Sequence, residues 1–109
     1  IADVRLTVVG HHAFAVQINT AGGWIDWRRD YDRLTYRRID TPDEIYRAAR
    51  AYLDRLGLVY GCFDFALATD GRWVFLECNP AGQWGWLEDI TGAPIAAAFA
   101  DVLMQEGPP

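Results

Sequence analysis

The sequence predicts an α+β fold, an antiparallel β-sheet with two helices packed on one face, and three observations lead there. Apolar and polar residues alternate with period two in five short segments, and two longer segments carry the apolar stripe of a helix. Their order is strand, strand, strand, helix, strand, strand, helix, with the first two and the last two strands reading as hairpins. The 109 residues, 51% of them hydrophobic, suffice for one compact domain and are too few for two.

Taken in order, Val4, Leu6 and Val8 alternate with Arg5 and Thr7 across residues 3–9, and Phe14, Val16 and Ile18 repeat the pattern after Gly10. His11 and His12 fall at the turn between them as an exposed polar pair, with no other metal-ligand type beside them. Residues 19–33, NTAGGWIDWRRDYDR, have no period and read as a long loop, a kind usually functional or disordered. LTYRRI, residues 34–39, is a short third strand. A helix follows, with Thr41 as N-cap, Pro42 at its first position and Glu44 completing a capping box. Ile45, Ala49, Tyr52, Leu53 and Leu56 form its stripe, and Gly57 ends it. The second helix is predicted from Ala93 or Pro94 to Gln105, burying Ile95, Ala98, Phe99, Val102 and Leu103.

The chain starts at Ile1 with strand-like residues at once, so it reads as a piece cut from something longer, without a leader. No run approaches the roughly 18 apolar residues of a membrane span, so a soluble protein with no membrane partner is expected. Net charge is −5, yet all ten basic residues are arginine, and Arg28, Arg29, Arg33, Arg37 and Arg38 lie within eleven positions. Asp26, Asp30, Asp32 and Asp40 interleave with them, which argues against nucleic acid and leaves either a hydrogen-bonded arginine site or a solvated ion-pair loop. Without lysine, no amine is present to form a Schiff base. Cys62 and Cys78 sit in strand-like segments and read as reduced packing residues of a cytoplasmic protein.

The chemistry concentrates in the last hairpin. Thr69-Asp70-Gly71 separates YGCFDFALA from RWVFLEC, and Asp-Gly between alternating apolar residues is a strong hairpin signal. With Asp70 and Gly71 central, Arg72 faces Thr69, Val74 faces Leu67, Leu76 faces Phe65 and Glu77 faces Asp64. Carboxylates so placed have β-carbons about 4.5–5.5 Å apart, and their repulsion costs on the order of 1 kcal/mol in water and several in a partly dry cleft. A shared proton, an arginine or a divalent cation would offset it. Asn79, two positions beyond Glu77, adds a neutral oxygen that suits a hard cation and does little for a shared proton, so magnesium is favoured. Ala66, Ala68 and Phe75 are expected on the same face, too apolar for bare solvent, so the carboxylates line a cleft. Mere solvation of the two acids is the alternative.

Asp64 on one strand and Glu77-x-Asn79 on the next, followed by Pro80 and Gly82, resemble the metal-binding end of the ATP-grasp ligases. DVRLTVVG, the loop with DWR, the helix beginning TPDE, LGLVYGCFDF and NPAGQWGWLEDITGAPI are similar to the C-terminal part of the subgroup that matures ribosomal peptides into graspetides, the microviridin-type macrocycles. The resemblance runs from about Asp3 to Leu103. It implies that the whole chain, residues 1–109, is a C-terminal ATP-grasp subdomain, with ATP and Mg as cofactors and a ribosomal precursor peptide with acidic core residues as partner. It further implies that Asp64, Glu77 and Asn79 hold magnesium and that Arg28, with Arg5 in second place, contacts the transferred phosphate. Leu76 is implied beneath the adenine, although strict alternation points it toward Phe65 instead. The reaction implied is phosphorylation of an Asp or Glu side chain, then lactone or lactam formation. The subgroup often has Asn where this chain has Ala81. The nucleotide-gripping lysines and the leader-reading module of the family are expected upstream, so the 109 residues alone are expected to fold, bind nucleotide weakly and turn nothing over. A different class remains open, an aromatic binding module built on Trp24, Trp27, Trp84 and Trp86 with a structural metal. The oligomeric state is open too, a homo-oligomer included.

Overall fold

The structure, a computed structural model, describes residues 2–20, 34–80, 82 and 84–105. Its elements run β1 (Ala2–Val9), β2 (His12–Thr20), β3 (Leu34–Ile39), α1 (Asp43–Leu56), β4 (Tyr60–Leu67), β5 (Trp73–Asn79), α2 (Gly85–Thr91) and α3 (Ile95–Gln105). The strands form one sheet in the order β3-β2-β1-β4-β5, and every neighbouring pair is antiparallel. The α+β class and antiparallel sheet thus stand as expected, and no described helix is long and apolar enough to cross a membrane.

β1 is the central strand, and its alternation sets up two cores. Residues directly opposite in an antiparallel pair share a face. Val4 lies between Gln17 and Phe65, and Arg5 between Val16 and Asp64, so successive residues of β1 serve opposite faces. Val4, Leu6, Val8, Phe63 and Phe65 pack under Ala49 and Leu53 of α1. On the face that carries Arg5, the helix pair α2 and α3 brings Leu87, Ile95 and Ala98 onto Val9, Phe14, Val16 and Ile18. Each core holds several side chains fully removed from water, and each such leucine or isoleucine contributes roughly 1.5–3 kcal/mol.

Helix α1 departs from its predicted start. Pro42 has extended ψ of 139° and is itself the N-cap, its carbonyl accepting the Tyr46 N–H at 3.0 Å, while no side chain caps the helix. Thr41 therefore stands one residue outside the capping position, and Asp43 and Glu44 act in the first turn through the helix dipole. Gly57 ends the helix in the left-handed conformation, as read from sequence. Helix α2 has no counterpart in the sequence prediction, because its seven residues are too few to display a period.

Candidate functional site

The β4–β5 hairpin does oppose Asp64 to Glu77, by a route that differs from the predicted one. The Gly71 N–H bonds the Ala68 carbonyl at 3.0 Å and the Ala68 N–H bonds the Arg72 carbonyl at 2.9 Å. The loop is thus the three residues Thr69-Asp70-Gly71, with Gly71 at φ 88° in the left-handed place such a loop demands. Asp70 adds a cap on the Arg72 N–H at 3.0 Å. One more loop residue slides the pairing by one, so Leu67 meets Trp73, Ala66 meets Val74 and Phe65 meets Phe75. An irregularity between Asp64 and Phe65 then absorbs one residue, Leu76, and restores Asp64 opposite Glu77, Phe63 opposite Cys78 and Cys62 opposite Asn79.

This bulge corrects two expectations. Leu76 does not face Phe65; it is the extra residue, 57% exposed, and lines the same cavity as Glu77. Phe75 does not share the carboxylate face; it pairs with Phe65 and packs by Tyr52, Phe63 and Phe65 on the α1 side.

The cavity, about 580 Å³, opens on the part of the sheet that α2 and α3 leave bare, and Asp3, Arg5, Ile18, Asp64, Leu76 and Glu77 line it. Its charge is one cation against three carboxylates. Arg5 is committed to Asp64, Nε to Oδ1 at 3.0 Å and Nη2 to Oδ2 at 3.3 Å, with both side chains about three-quarters buried. Of the offsets open at the sequence level, the arginine is present, supplied by β1 because Arg5 is the register partner of Asp64. Burial alone would lower the Arg5 pKa, but the hydrogen bond and charge of Asp64 outweigh it and the pKa is raised. Burial, and then the charge of Asp64, push the Asp3 carboxyl above its ordinary 3.8.

Asn79 ends β5 opposite Cys62, and the turn after it is fastened to β4. The Gly82 N–H reaches the Asn79 carbonyl at 3.4 Å, and the Tyr60 hydroxyl donates to the Gly82 carbonyl. Burial, followed by the contact with Cys62, raises the Tyr60 phenol pKa. Among the described residues no three His, Cys, Asp or Glu side chains converge on a metal position. Asp64 and Glu77 supply two opposed carboxylates, both Asp64 oxygens accepting from Arg5, and Asn79 lies on the same strand face outside the cavity's lining. Carboxylates and an amide are donor types that suit magnesium, an ion that keeps other positions for water or phosphate.

Other predicted site residues fall elsewhere. Arg28 lies outside the described residues, as do Trp24 and Trp27 and the side chain of Trp86. Trp84 stacks on Phe99 at 5.1 Å and joins the core, so it is packing and no part of a platform. Cys62 and Cys78 are free and point to opposite faces, as their register partners show. His12 begins β2 and bonds Asp101 at 3.0 Å, which ties that strand to α3.

No protein-family model matches the chain, and no curated protein does. Solved structures do. The macrocyclase MdnC from Microcystis aeruginosa MRC, solved bound with its precursor peptide MdnA, is 32% identical over 97% of this chain and 34% of its own, with a TM-score of 0.79. A Chryseobacterium gregarium RiPP-associated ATP-grasp ligase, in complex with ADP and a leader and core peptide, is 28% identical over 98% of this chain and 34% of its own, at 0.81. The ATP-grasp ligase PsnB, complexed with a phosphomimetic variant of a minimal precursor, Mg and ADP, is 25% identical over 95% and 32%, at 0.78. The chain spans about a third of the length of each. With this fold matched over at least 95% of its length, the chain is a piece of an ATP-grasp fold and is similar to the RiPP ATP-grasp ligases.

Proposed function

We propose that this chain is the C-terminal, magnesium- and nucleotide-binding part of an ATP-dependent ligase that acts on Asp or Glu side chains of a ribosomal precursor peptide. The observation that carries the reading is the bulge at Leu76, which puts an apolar side chain beside the opposed carboxylates Asp64 and Glu77 in one open cavity. A nucleotide asks for that pairing, a flat apolar surface for its base next to cation-binding oxygens for its phosphates. The Mg and ADP held by PsnB, and the peptides held by MdnC and the Chryseobacterium ligase, support the same ligands here.

In this reading Asp64, Glu77 and Asn79 hold magnesium, which would neutralise charge on the phosphate oxygens. Arg5 keeps Asp64 in place from the side, and Leu76 packs against the base. The peptide carboxylate attacks the γ-phosphorus as its bond to ADP breaks, giving an acyl phosphate. A hydroxyl or amine of the peptide then attacks the acyl carbon, expels phosphate and loses its proton, leaving a lactone or lactam. Arg28 is assigned to the phosphate as a planar, two-pronged donor.

Titration with a fluorescent ADP analogue tests the reading. Binding should need a divalent cation, vanish with EDTA, and weaken at least tenfold in Glu77→Gln, for which the loss of a ligand is reason enough. Nucleotide binding that ignores both the cation and the Glu77 substitution would refute it.

A further inference from the structure

Outside the cavity, a cluster buried at Thr7, Cys62 and Gly82 and half-buried at Tyr60 backs the turn after Asn79. Tyr60, Cys62 and Asp64 follow one another at alternate positions of β4 and so share the site's face. The Tyr60 ring packs on Phe99 of α3 at 5.1 Å, while its hydroxyl stands 3.0 Å from Cys62 Sγ and bonds the Gly82 carbonyl. Cys62 is fully buried, with Thr7 Oγ1, equally buried, 3.8 Å from its sulfur.

The direction of the hydrogen bonds follows from the donor inventory. A carbonyl only accepts, so the single Tyr60 proton goes to Gly82. The Cys62 thiol is then the donor to the Tyr60 oxygen, and the chain runs from Cys62 through Tyr60 to Gly82. Gly82 is held equally closely from the other side. A Cβ placed there would lie 2.8 Å from Cys62 Sγ and 3.0 Å from Cys62 Cβ, so the backbone approaches the sulfur as only glycine allows. Cys62 is in turn the register partner of Asn79, and the Gly82 N–H closes on the Asn79 carbonyl.

We propose that Tyr60 is a positioning residue for the metal site: by tying Gly82 to β4 over Cys62, its hydroxyl fixes the turn that holds Asn79 beside Glu77 and Asp64. The inference rests on the magnesium site proposed above. It gives Cys62 and Gly82 a shared role, a sulfur bed and the one residue small enough to lie on it.

The test is Mn²⁺ titration of the protein, followed by electron paramagnetic resonance, with circular dichroism and thermal unfolding alongside. Tyr60→Phe keeps the ring on Phe99 and removes only the hydroxyl. It should raise the Mn²⁺ Kd about tenfold, the loss typical when a group behind a metal ligand is removed, with an unchanged folded spectrum. Gly82→Ala should weaken binding similarly, and adding Cys62→Ala, which clears the 2.8 Å contact, should restore part of it. Asp64→Asn serves as the control for the site itself. If Asp64→Asn weakens Mn²⁺ binding while Tyr60→Phe and Gly82→Ala do not, the positioning role is wrong and the site stands. If Asp64→Asn has no effect either, the site is wrong and the positioning role falls with it. Should Tyr60→Phe fail to fold, the Gly82→Ala pair with and without Cys62→Ala decides alone, and absence of rescue overturns the proposal.

Discussion

Two ends of the same sheet face make the instructive contrast. At one end Thr7 and Val9 of β1, with Phe14 and Val16 of β2, lie under Leu87 and Ile95 and are almost wholly buried. At the other end, on the same alternation, β1 presents Asp3 and Arg5 and β4 presents Asp64, with Glu77 of β5 beyond them, to an open cavity. What differs is the cover. Where α2 and α3 sit, the face is apolar and close-packed; where they stop, it carries four charged groups. Packing and charge are therefore divided along the strands, so a change at one end should leave the other largely untouched.

The largest effect should come from the covered end. Leu87→Ala empties a fully buried position and should cost about 2–5 kcal/mol, a large share of the stability of a domain this size. Denaturant unfolding checks the loss, and a titration at a temperature where the variant is still folded should return the parent's Mn²⁺ affinity. Weakened binding in a folded Leu87→Ala protein would break the division.

A medium effect is expected from the open end. Arg5→Gln leaves Asp64 facing Glu77 and Asp3 with no cation among them, and should destabilise by about 1–3 kcal/mol as a partly buried charge-assisted bond is lost. A divalent cation can replace the missing charge. Magnesium should raise the melting temperature of Arg5→Gln more than that of the parent, since binding to the folded form adds stability by mass action. Equal shifts in both proteins would mean that Arg5 and the metal do not answer the same repulsion.

How legible all this was in the sequence varies with the range of the interaction. The strands, the third one to the residue, followed from alternation that each segment carries by itself. The opposition of Asp64 and Glu77 was also legible, but through two departures that cancel: a loop one residue longer than the Asp70-Gly71 pair suggests, and a bulge that takes up Leu76. Bulges leave no mark in a run such as VFLEC, so alternation could not show the exposure of Leu76, which the family resemblance alone put at the nucleotide, nor the removal of Phe75 to the other face. The Arg5–Asp64 pair was hidden for a different reason. It joins residues 59 apart, and only the strand order, with β1 between β2 and β4, brings them together. The same holds for helices: the stripes of α1 and α3 were visible in part, since Ala49, Leu53, Ile95 and Ala98 are buried while Leu56 and Leu103 stand 57% and 70% exposed, and the face each helix covers depends on strand order.

A smaller and cleaner probe of the bulge is deletion of Leu76. Removing it joins Phe75 to Glu77 and lets the tip's pairing continue without a break, so Glu77 still meets Asp64 and Asn79 still meets Cys62. The carboxylates stay and only the apolar wall goes. Mn²⁺ affinity should persist, while the fluorescent ADP analogue should bind roughly tenfold more weakly, as expected for one leucine-sized contact. Loss of both activities together would mean that the bulge shapes the metal ligands as well as the base surface.

The smallest effect tests the charge balance of the cavity through pH. Asp3 is held above its ordinary pKa of 3.8 by partial burial and by Asp64, so its ionised form is the one the fold disfavours. Below 3.8 the group is protonated both folded and unfolded, and contributes no penalty. As pH rises from 3.8 through the higher folded value, the folded protein must give up a proton it holds more tightly, and stability falls by this group's share until both states are ionised. Asp3→Asn removes that share. At pH 7 it should melt slightly higher, on the order of 1–2 °C given how exposed the group is, and the gap should close as pH drops below 3.8. Magnesium should erase the advantage at pH 7, because a cation in the cavity favours the carboxylate that burial disfavours. A variant less stable than the parent at pH 7 without metal would mean that Asp3 is already compensated, and that the open end is less electronegative than its four charged groups imply.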